Sequence, residues 1–443
     1  MHRHTELLVT ALALAWLCPA TASALFGDSD DAIGLDGSFR SMGGLTINYD
    51  DGDDDAIFGP DNDADGFGQS LLRVELAGYP TDALRYELHG LQSMSMTSAD
   101  AATGPTIFGG AFALPTGSPR YRALDLRWDQ IEDADLQAAM DVDRAAVTVS
   151  WSRLDLTVGR QAITVGHTHL WNPTDLYLRW DPSQFDRDYK PGVDAVRVDL
   201  AVGDFSGLTV VGVAGRSLLL DTSSRRDGRA RVSWYGSSAL LRAFTLVEGF
   251  DLSAQGGKVY GGYHAAGGLT GELSTIELRA EAAYFIADDG HDDAALWPLS
   301  GEPLLEDHLQ AVGGIGRGFD SGLLLEAEYL YNGAAGDDTL LDFMRTFTGL
   351  SPSVTAHVLG ATASYPISAL WHGSLLALVS LVDGSVQVMP VLVYSVSDES
   401  EFIAGAFLNF GERPESSGLV VPEPRSEYGT SPSGGMFEFK LYF

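Results

Sequence analysis

Charged side chains recur at every second position through a series of short apolar segments. That spacing, more than any catalytic motif, is the chemical signature of this sequence. In 71–77, Arg73 and Glu75 oppose Leu72, Val74 and Leu76. In 121–128, Asp125 and Arg127 oppose Leu124, Leu126 and Trp128. In 193–202, Arg197 and Asp199 oppose Val196, Val198, Leu200 and Val202. In 275–284, Glu277, Arg279 and Glu281 oppose Ile276, Leu278, Ala280, Ala282 and Tyr284. The same parity sets Arg85, Glu87, Arg231, Glu326 and Glu328 on the charged face. Fixed charges of both signs on one face of extended segments can sort solutes by charge along a pore. An exporter of a polyanion would need a mainly positive lining, so the mixture argues against such a substrate.

Other residues offer chemistry less completely. Asp61, Asp63, Asp65 and Gly66 form the first half of a D-x-D-x-D-G calcium loop, in which alternate carboxylates converge on one hard cation. Its closing acid is missing, because the twelfth position is Leu72. This leaves a structural Ca2+ completed from elsewhere, or a solvated acidic loop. Asp288-Asp289-Gly290-His291-Asp292-Asp293 is a weaker copy. His167-x-His169 puts two rings on one face of an extended chain, without an evident third ligand. No G-x-S-x-G elbow is present, and His89, His357 and His372 are scattered. The sequence therefore reads as non-enzymatic.

The elements that carry these residues are strands. Period-2 alternation over about ten residues, repeated many times between turn signals, is the pattern of a transmembrane β-barrel. The expected strands are 36–49, 69–79, 83–95, 121–151 with an extension beyond the membrane, 154–165, 192–202, 206–216, 228–236, 239–249, 257–266, 273–287, 306–317, 321–332, 353–366, 370–382, 385–397, 400–411 and 433–443. That is an all-β, antiparallel up-and-down barrel of eighteen strands, or sixteen if one hairpin is miscounted. Short turns at 79–81, 152–153, 236–238, 319–320, 366–368 and 398–399 alternate with long connections at 50–68, 96–120, 166–191, 288–305, 333–352 and 412–432.

The ends of the chain fit export and closure. His2, Arg3 and His4 precede an apolar run from Leu7 to Leu17. Ala22-Ser23-Ala24 offers a small-residue cleavage site, so residues 1–24 read as a secretory signal peptide. Residues 25–443 read as one barrel domain. Cys18, the only cysteine, leaves with that segment, which excludes disulfides and thiolate metal sites. At the other end Phe437, Phe439, Leu441 and Phe443 alternate with Glu438, Lys440 and Tyr442. This resembles the terminal strand by which the barrel-assembly machinery recognises outer-membrane clients. The net charge of −34 argues against a nucleic-acid partner, which requires basic patches.

One long connection stands apart. Gly159-Arg160-Gln161 leads through Gly166 to Trp171-Asn172-Pro173-Thr174-Asp175-Leu176, then to Asp186-Arg187-Asp188-Tyr189-Lys190-Pro191-Gly192-Val193-Asp194. A loop of about 26 residues is usually functional. Paired Arg and Asp among aromatics would let it fold inward without unpaired buried charge. Over residues 153–200 the chain resembles outer-membrane porin-like barrels of the alginate-export type, in which a strand carrying Gly-Arg-Gln precedes a loop. The resemblance implies an eighteen-strand barrel and an inward constriction at 166–191, with Arg160, Trp171, Asp175, Asp186 and Arg187 its residues. Arg160 shares strand parity with Leu154, Leu156 and Val158, so either a bulge intervenes or it sits at the rim. The expected function is passive passage of small hydrophilic solutes across a Gram-negative outer membrane, in contact with lipid and lipopolysaccharide and without a cofactor. The alternative is a non-conducting surface or structural barrel with calcium held by Asp61, Asp63 and Asp65. A barrel-borne hydrolase is a third reading.

Overall fold

The computed structural model describes residues 33–47, 64–98, 119–133, 135–177, 179–184, 188–216, 232–288, 305–414 and 424–443. The expected signal peptide, Asp61, Asp63, Asp186, Arg187 and Arg231 lie outside the described residues. The strands are β1 (Ile33–Ile47), β2 (Ala64–Thr81), β3 (Leu84–Thr97), β4 (Arg127–Glu132), β5 (Leu136–Trp151), β6 (Leu154–Gln161), β7 (Val193–Ala201), β8 (Ser206–Val213), β9 (Ser238–Val247), β10 (Phe250–Val259), β11 (Gly262–Leu273), β12 (Ile276–Ala287), β13 (His308–Gly318), β14 (Leu324–Asn332), β15 (His357–Pro366), β16 (Trp371–Ser380), β17 (Val386–Ser397), β18 (Ser400–Phe410) and β19 (Ser433–Tyr442).

All but β4 form one closed antiparallel ring. Each strand pairs with its sequence neighbours, and β1 pairs with both β2 and β19. β3 pairs directly with β5 along thirteen register positions. β4 pairs only with the upper part of β5, from Arg127↔Asp141 to Glu132↔Gln137. It therefore continues the course of β6 beyond that strand's end. The ring has eighteen members, and the stretch expected as one long strand over 121–151 is split.

The faces separate as the alternation requires. Leu72 and Val74 of β2 are 39 % and 40 % exposed, whereas Arg73 between them is 3 % exposed. The outward face is apolar and the inward face is polar, the reverse of a soluble protein. A closed ring leaves no unpaired edge, as a wall in hydrocarbon requires. Among the described residues no helix is long and apolar enough to cross a membrane.

Closure depends on a glycine at the seam. The main chains of Gly37 and Phe443 exchange two hydrogen bonds, of 2.7 and 2.9 Å. A Cβ at Gly37 would lie 2.4 Å from the Phe443 ring, so any side chain there collides with the last residue.

The strand expected over 257–266 straddles the turn at Tyr260 and Gly261 between β10 and β11, and two further differences from the expected strand list offset each other. The strand expected over 228–236 is absent among its described residues, where only an isolated Arg216–Val232 bridge occurs. The short turn expected at 236–238 is accordingly a connection leading into β9. Residues 248–249 instead turn a tight hairpin between β9 and β10, with Glu248 at φ 50° and Gly249 at φ 84°. Such two-residue turns need positive φ, which favours Asn, Asp or Gly. Glutamate at the first position hid the turn.

Helix α1 (Thr339–Phe347) lies in the connection from β14 to β15. Its N-cap Asp338 accepts from Leu341 N, satisfying an otherwise orphaned helix donor. Its buried face carries Leu341, Asp342 and Arg345, with Arg345 paired to Asp342 at 2.9 Å.

Candidate functional site

The described residues of 162–192, between β6 and β7, cross the interior as a strap. Gly166 starts the inward turn at φ 144°. A Cβ there would meet Asn172 Oδ1 at 2.4 Å, so the turn admits only glycine.

The first part of the strap docks on carboxylates of the far wall. Glu281 on β12 is 2 % exposed. Its Oε1 accepts from the main-chain N–H of His167 and of Thr168, and its Oε2 accepts from Thr174 N (3.0 Å) and Thr174 Oγ1 (2.8 Å). Glu328 on β14 accepts from His169 N (2.7 Å) and Leu170 N (2.8 Å). Glu326 lies 2.7 Å from His169 Nδ1 and accepts from Thr362 at 3.1 Å. Arg279 sits among Glu277 (2.9 Å), Glu326 (3.0 Å) and Glu328 (3.3 Å). Buried carboxylates are tolerable here because charge-assisted donors surround them. The hydrogen bond to Glu326 raises the His169 pKa above its ordinary value, and burial opposes that rise. Burial lowers that of His167. Beside this anchor Leu170 and Trp171 pack with Val312, Leu330, Val358 and Leu378. Gly360 makes the room, since a Cβ there would lie 2.3 Å from Leu170 Cδ1.

The middle of the strap is held by aromatic packing. Ile163 and Tyr177 join Tyr121, Tyr235, Tyr260 and Phe285 in a buried interior cluster. Tyr177 meets Tyr121 edge-on at 5.4 Å and shares a 2.9 Å hydrogen bond with Ser238. Burial pushes the Tyr177 hydroxyl's pKa up.

The returning end docks on a basic wall formed by β1, β2, β3, β5 and β19. Asp188 lies 2.5 Å from Lys440 Nζ and 3.5 Å from Arg40. The Tyr189 ring lies between the guanidinium groups of Arg73 (3.1 Å to the centroid) and Arg144 (4.4 Å), and its hydroxyl is 2.6 Å from His89 Nδ1. Arg144 also donates to Lys190 O at 2.8 Å. Lys190 pairs with Asp175 inside the strap.

The residues expected from sequence fall into distinct places. Trp171 and Asp175 belong to the strap as just described. Arg160 lies at the end of β6, 2 % exposed, and pairs with Asp194 at 2.8 Å. It donates to the carbonyls of Val142 and Leu124. The β5–β6 register runs unbroken through it, so of the two options the rim position is the one found. Arg73 pairs with Asp143 at 3.4 Å, and Glu75 lies 3.9 Å from His89. Arg85 lies 3.9 Å from Glu87. Arg197 and Asp199 pair at 2.7 Å on β7. Glu277, Arg279 and Glu281 meet the strap or its partners. Arg127 lies on β4, outside the closed ring, and pairs with Asp129 at 2.6 Å. Asp125 is exposed just before it. Asp65 lies within β2, where its Oδ1 accepts from Ser98 at 3.1 Å. Among the described residues no group of three His, Cys, Asp or Glu is placed to hold a metal. His167 and His169 diverge, to Ser253 on β10 and Glu326 on β14.

Two clefts flank the strap at Arg179. One is lined by Arg120, Arg179, Tyr260, His264, Phe285 and His308 among others. The other includes Trp171, Arg179, Trp180, Pro182, Leu330 and Ser351. Arg179 donates through Nε to Asp175 O, while its buried Nη1 has no hydrogen-bond partner among the described residues. Sequence reading passed over Arg179 and, though it quoted Asp188 and Tyr189 within the loop, gave them no role, because local pattern gives no sign of partners so far along the chain.

No protein-family model matches the sequence, and no curated protein matches it. Solved structures match along nearly the whole chain. OccAB3 of Acinetobacter baumannii is 10 % identical with a TM-score of 0.55, covering 93 % of this chain and 99 % of that one. OccK8 (OprE) of Pseudomonas aeruginosa is 11 % identical at 0.54, covering 93 % and 98 %. A BenF-like porin of Pseudomonas fluorescens Pf-5 is 9 % identical at 0.53, covering 94 % and 100 %. A closed eighteen-strand antiparallel barrel carrying its own interior strap thus has the backbone fold of these porin structures.

Proposed function

We propose that this protein is a porin-like channel of a Gram-negative outer membrane. In this reading small hydrophilic solutes pass the wide barrel and are restricted by residues 162–192. The observation that carries it is the strap itself, anchored on opposite walls with clefts beside it. The apolar outer face supports placement in lipid, beside lipopolysaccharide. The exported chain would lose residues 1–24, and its last strand would be the segment met by the assembly machinery. The channel needs no cofactor and performs no chemistry. The mixed signs of the interior charges speak against a polyanion as cargo.

Single-channel recording in planar bilayers tests the proposal. Stepwise conductance is expected, and it should rise when residues 166–187 are replaced by a short Gly-Ser linker. A folded barrel that conducts in neither form overturns it.

The buried cluster around Tyr121, Tyr177 and Tyr260 supports a second reading, a plugged barrel with a structural or binding role. Calcium at Asp61, Asp63 and Asp65 belongs to that reading. A melting temperature that falls with chelator in the natural chain but not after replacement of those aspartates would favour it.

A further inference from the structure

The two ends of the strap are held by different chemistry. Residues 166–174 are fixed mainly by main-chain N–H groups donating to carboxylates on β12 and β14. Residues 188–190 are fixed by arginine faces on a tyrosine ring, together with one carboxylate. Arginine stays charged at any relevant pH, so the stack on Tyr189 persists when carboxylates are neutralised. The first anchor does not. A protonated carboxyl turns one acceptor oxygen into a donor, and here the partners facing it are themselves donors.

We propose that residues 166–174 are a releasable gate, clasped to the far wall by Glu281, Glu326 and Glu328 and freed, while the Tyr189 end stays docked, when those carboxylates are neutralised. The inference rests on the channel reading only for its effect on conduction.

The charged groups around the clasp set its sign. Arg179 and Arg242 face Glu281. Arg279 faces Glu277, Glu326 and Glu328. His167 faces Ser253, Arg242 and Asp251. His169 faces Glu326, with Arg279 and Glu328 beyond it. The raised pKa of His169 means that its link to Glu326 is fully present below the ordinary histidine value. That link is lost as pH rises through the raised value. Protonation of the three glutamates would replace acceptor oxygens with donors facing the strap's own N–H groups.

The test is amide hydrogen exchange on the full barrel in detergent, corrected for the intrinsic pH dependence of exchange. In Glu281→Gln/Glu328→Gln at neutral pH, protection of residues 167–174 should fall about tenfold or more, the scale of losing hydrogen bonds to a charged acceptor. Protection of 188–192 should change less than about twofold on the same scale. Acidifying the natural protein should reproduce the pattern. Should the double variant fail to fold, His169→Ala leaves the barrel wall intact and should loosen 167–174 alone. Unchanged protection, or equal loss at both ends, overturns the proposal. Lost protection in a barrel that conducts neither before nor after would leave the gate standing and remove the channel.

Discussion

The guanidinium of Arg73 on β2 lies 3.1 Å from the centre of the Tyr189 ring, and Arg144 approaches that ring at 4.4 Å. One aromatic side chain thereby gives partners to two interior cations and fixes the returning end of the strap. Desolvated cation–π contacts of this kind contribute about 2 kcal/mol. Tyr189→Ala should destabilise the barrel by about 3 kcal/mol and broaden single-channel current levels. Tyr189→Phe keeps the ring and loses only the His89 contact, at about 1 kcal/mol. Thermal unfolding in detergent separates the two. Equal losses would show that the hydroxyl, not the ring, is the anchor.

Arg179 projects into the space between two clefts with a buried Nη1 that no described residue satisfies. A fixed positive charge beside a narrow path favours anions. Arg179→Gln should move the zero-current potential in a salt gradient toward cation preference and leave the melting temperature nearly unchanged. A potential identical to that of the natural protein would place Arg179 off the path.

Gly37 is the residue over which the chain closes. Gly37→Val would drive a side chain into the Phe443 ring and into the carbonyl of Arg73, 2.9 Å from the Cβ position. Unclosed edges are not tolerated in hydrocarbon, so the yield of folded, heat-modifiable barrel should fall severalfold. Phe443→Ala combined with Gly37→Ala should recover part of it. Normal folding of Gly37→Val would show that the seam adjusts elsewhere.

Glu427 joins two connections on the strap's side of the barrel. It accepts from Val354 N (3.1 Å), Thr355 N (2.6 Å) and Thr355 Oγ1 (2.8 Å). Burial pushes its pKa up to about 7, against those hydrogen bonds. A carboxyl whose pKa is raised on folding contributes stability below its ordinary range, and that stability is lost as pH rises through about 7. Limited proteolysis of the 412–432 connection should accelerate between pH 5 and pH 8, windows set by that shift. Glu427→Gln should flatten the dependence. A flat profile in the natural protein would contradict the placement.

The barrel was legible because its rule is local. Alternation of Leu72, Val74 and Leu76 with Arg73 and Glu75 places one face in lipid whatever the partner strand is. The alternation of Phe437, Phe439 and Leu441 marks β19, the strand that pairs with β1. Errors arose where backbone conformation departs from residue preference. Glu248 at positive φ hid a hairpin, and the missing strand was balanced by an expected one at 228–236 that is absent among its described residues. The apolar zigzag of 121–128 looked like wall, yet part of it became β4 beyond the end of β6, because β3 had already taken β5 as its neighbour.

The sequence by itself determined that this chain closes a barrel with a greasy outside and charges within, since side-chain parity in a strand follows from the backbone alone. Only the tertiary structure decided what those charges do. Thr174 and Glu281 are 107 residues apart, and His169 and Glu328 are 159 apart. No local period links them. They meet because closing the ring brings β12 and β14 opposite the end of β6, within reach of a strap long enough to cross.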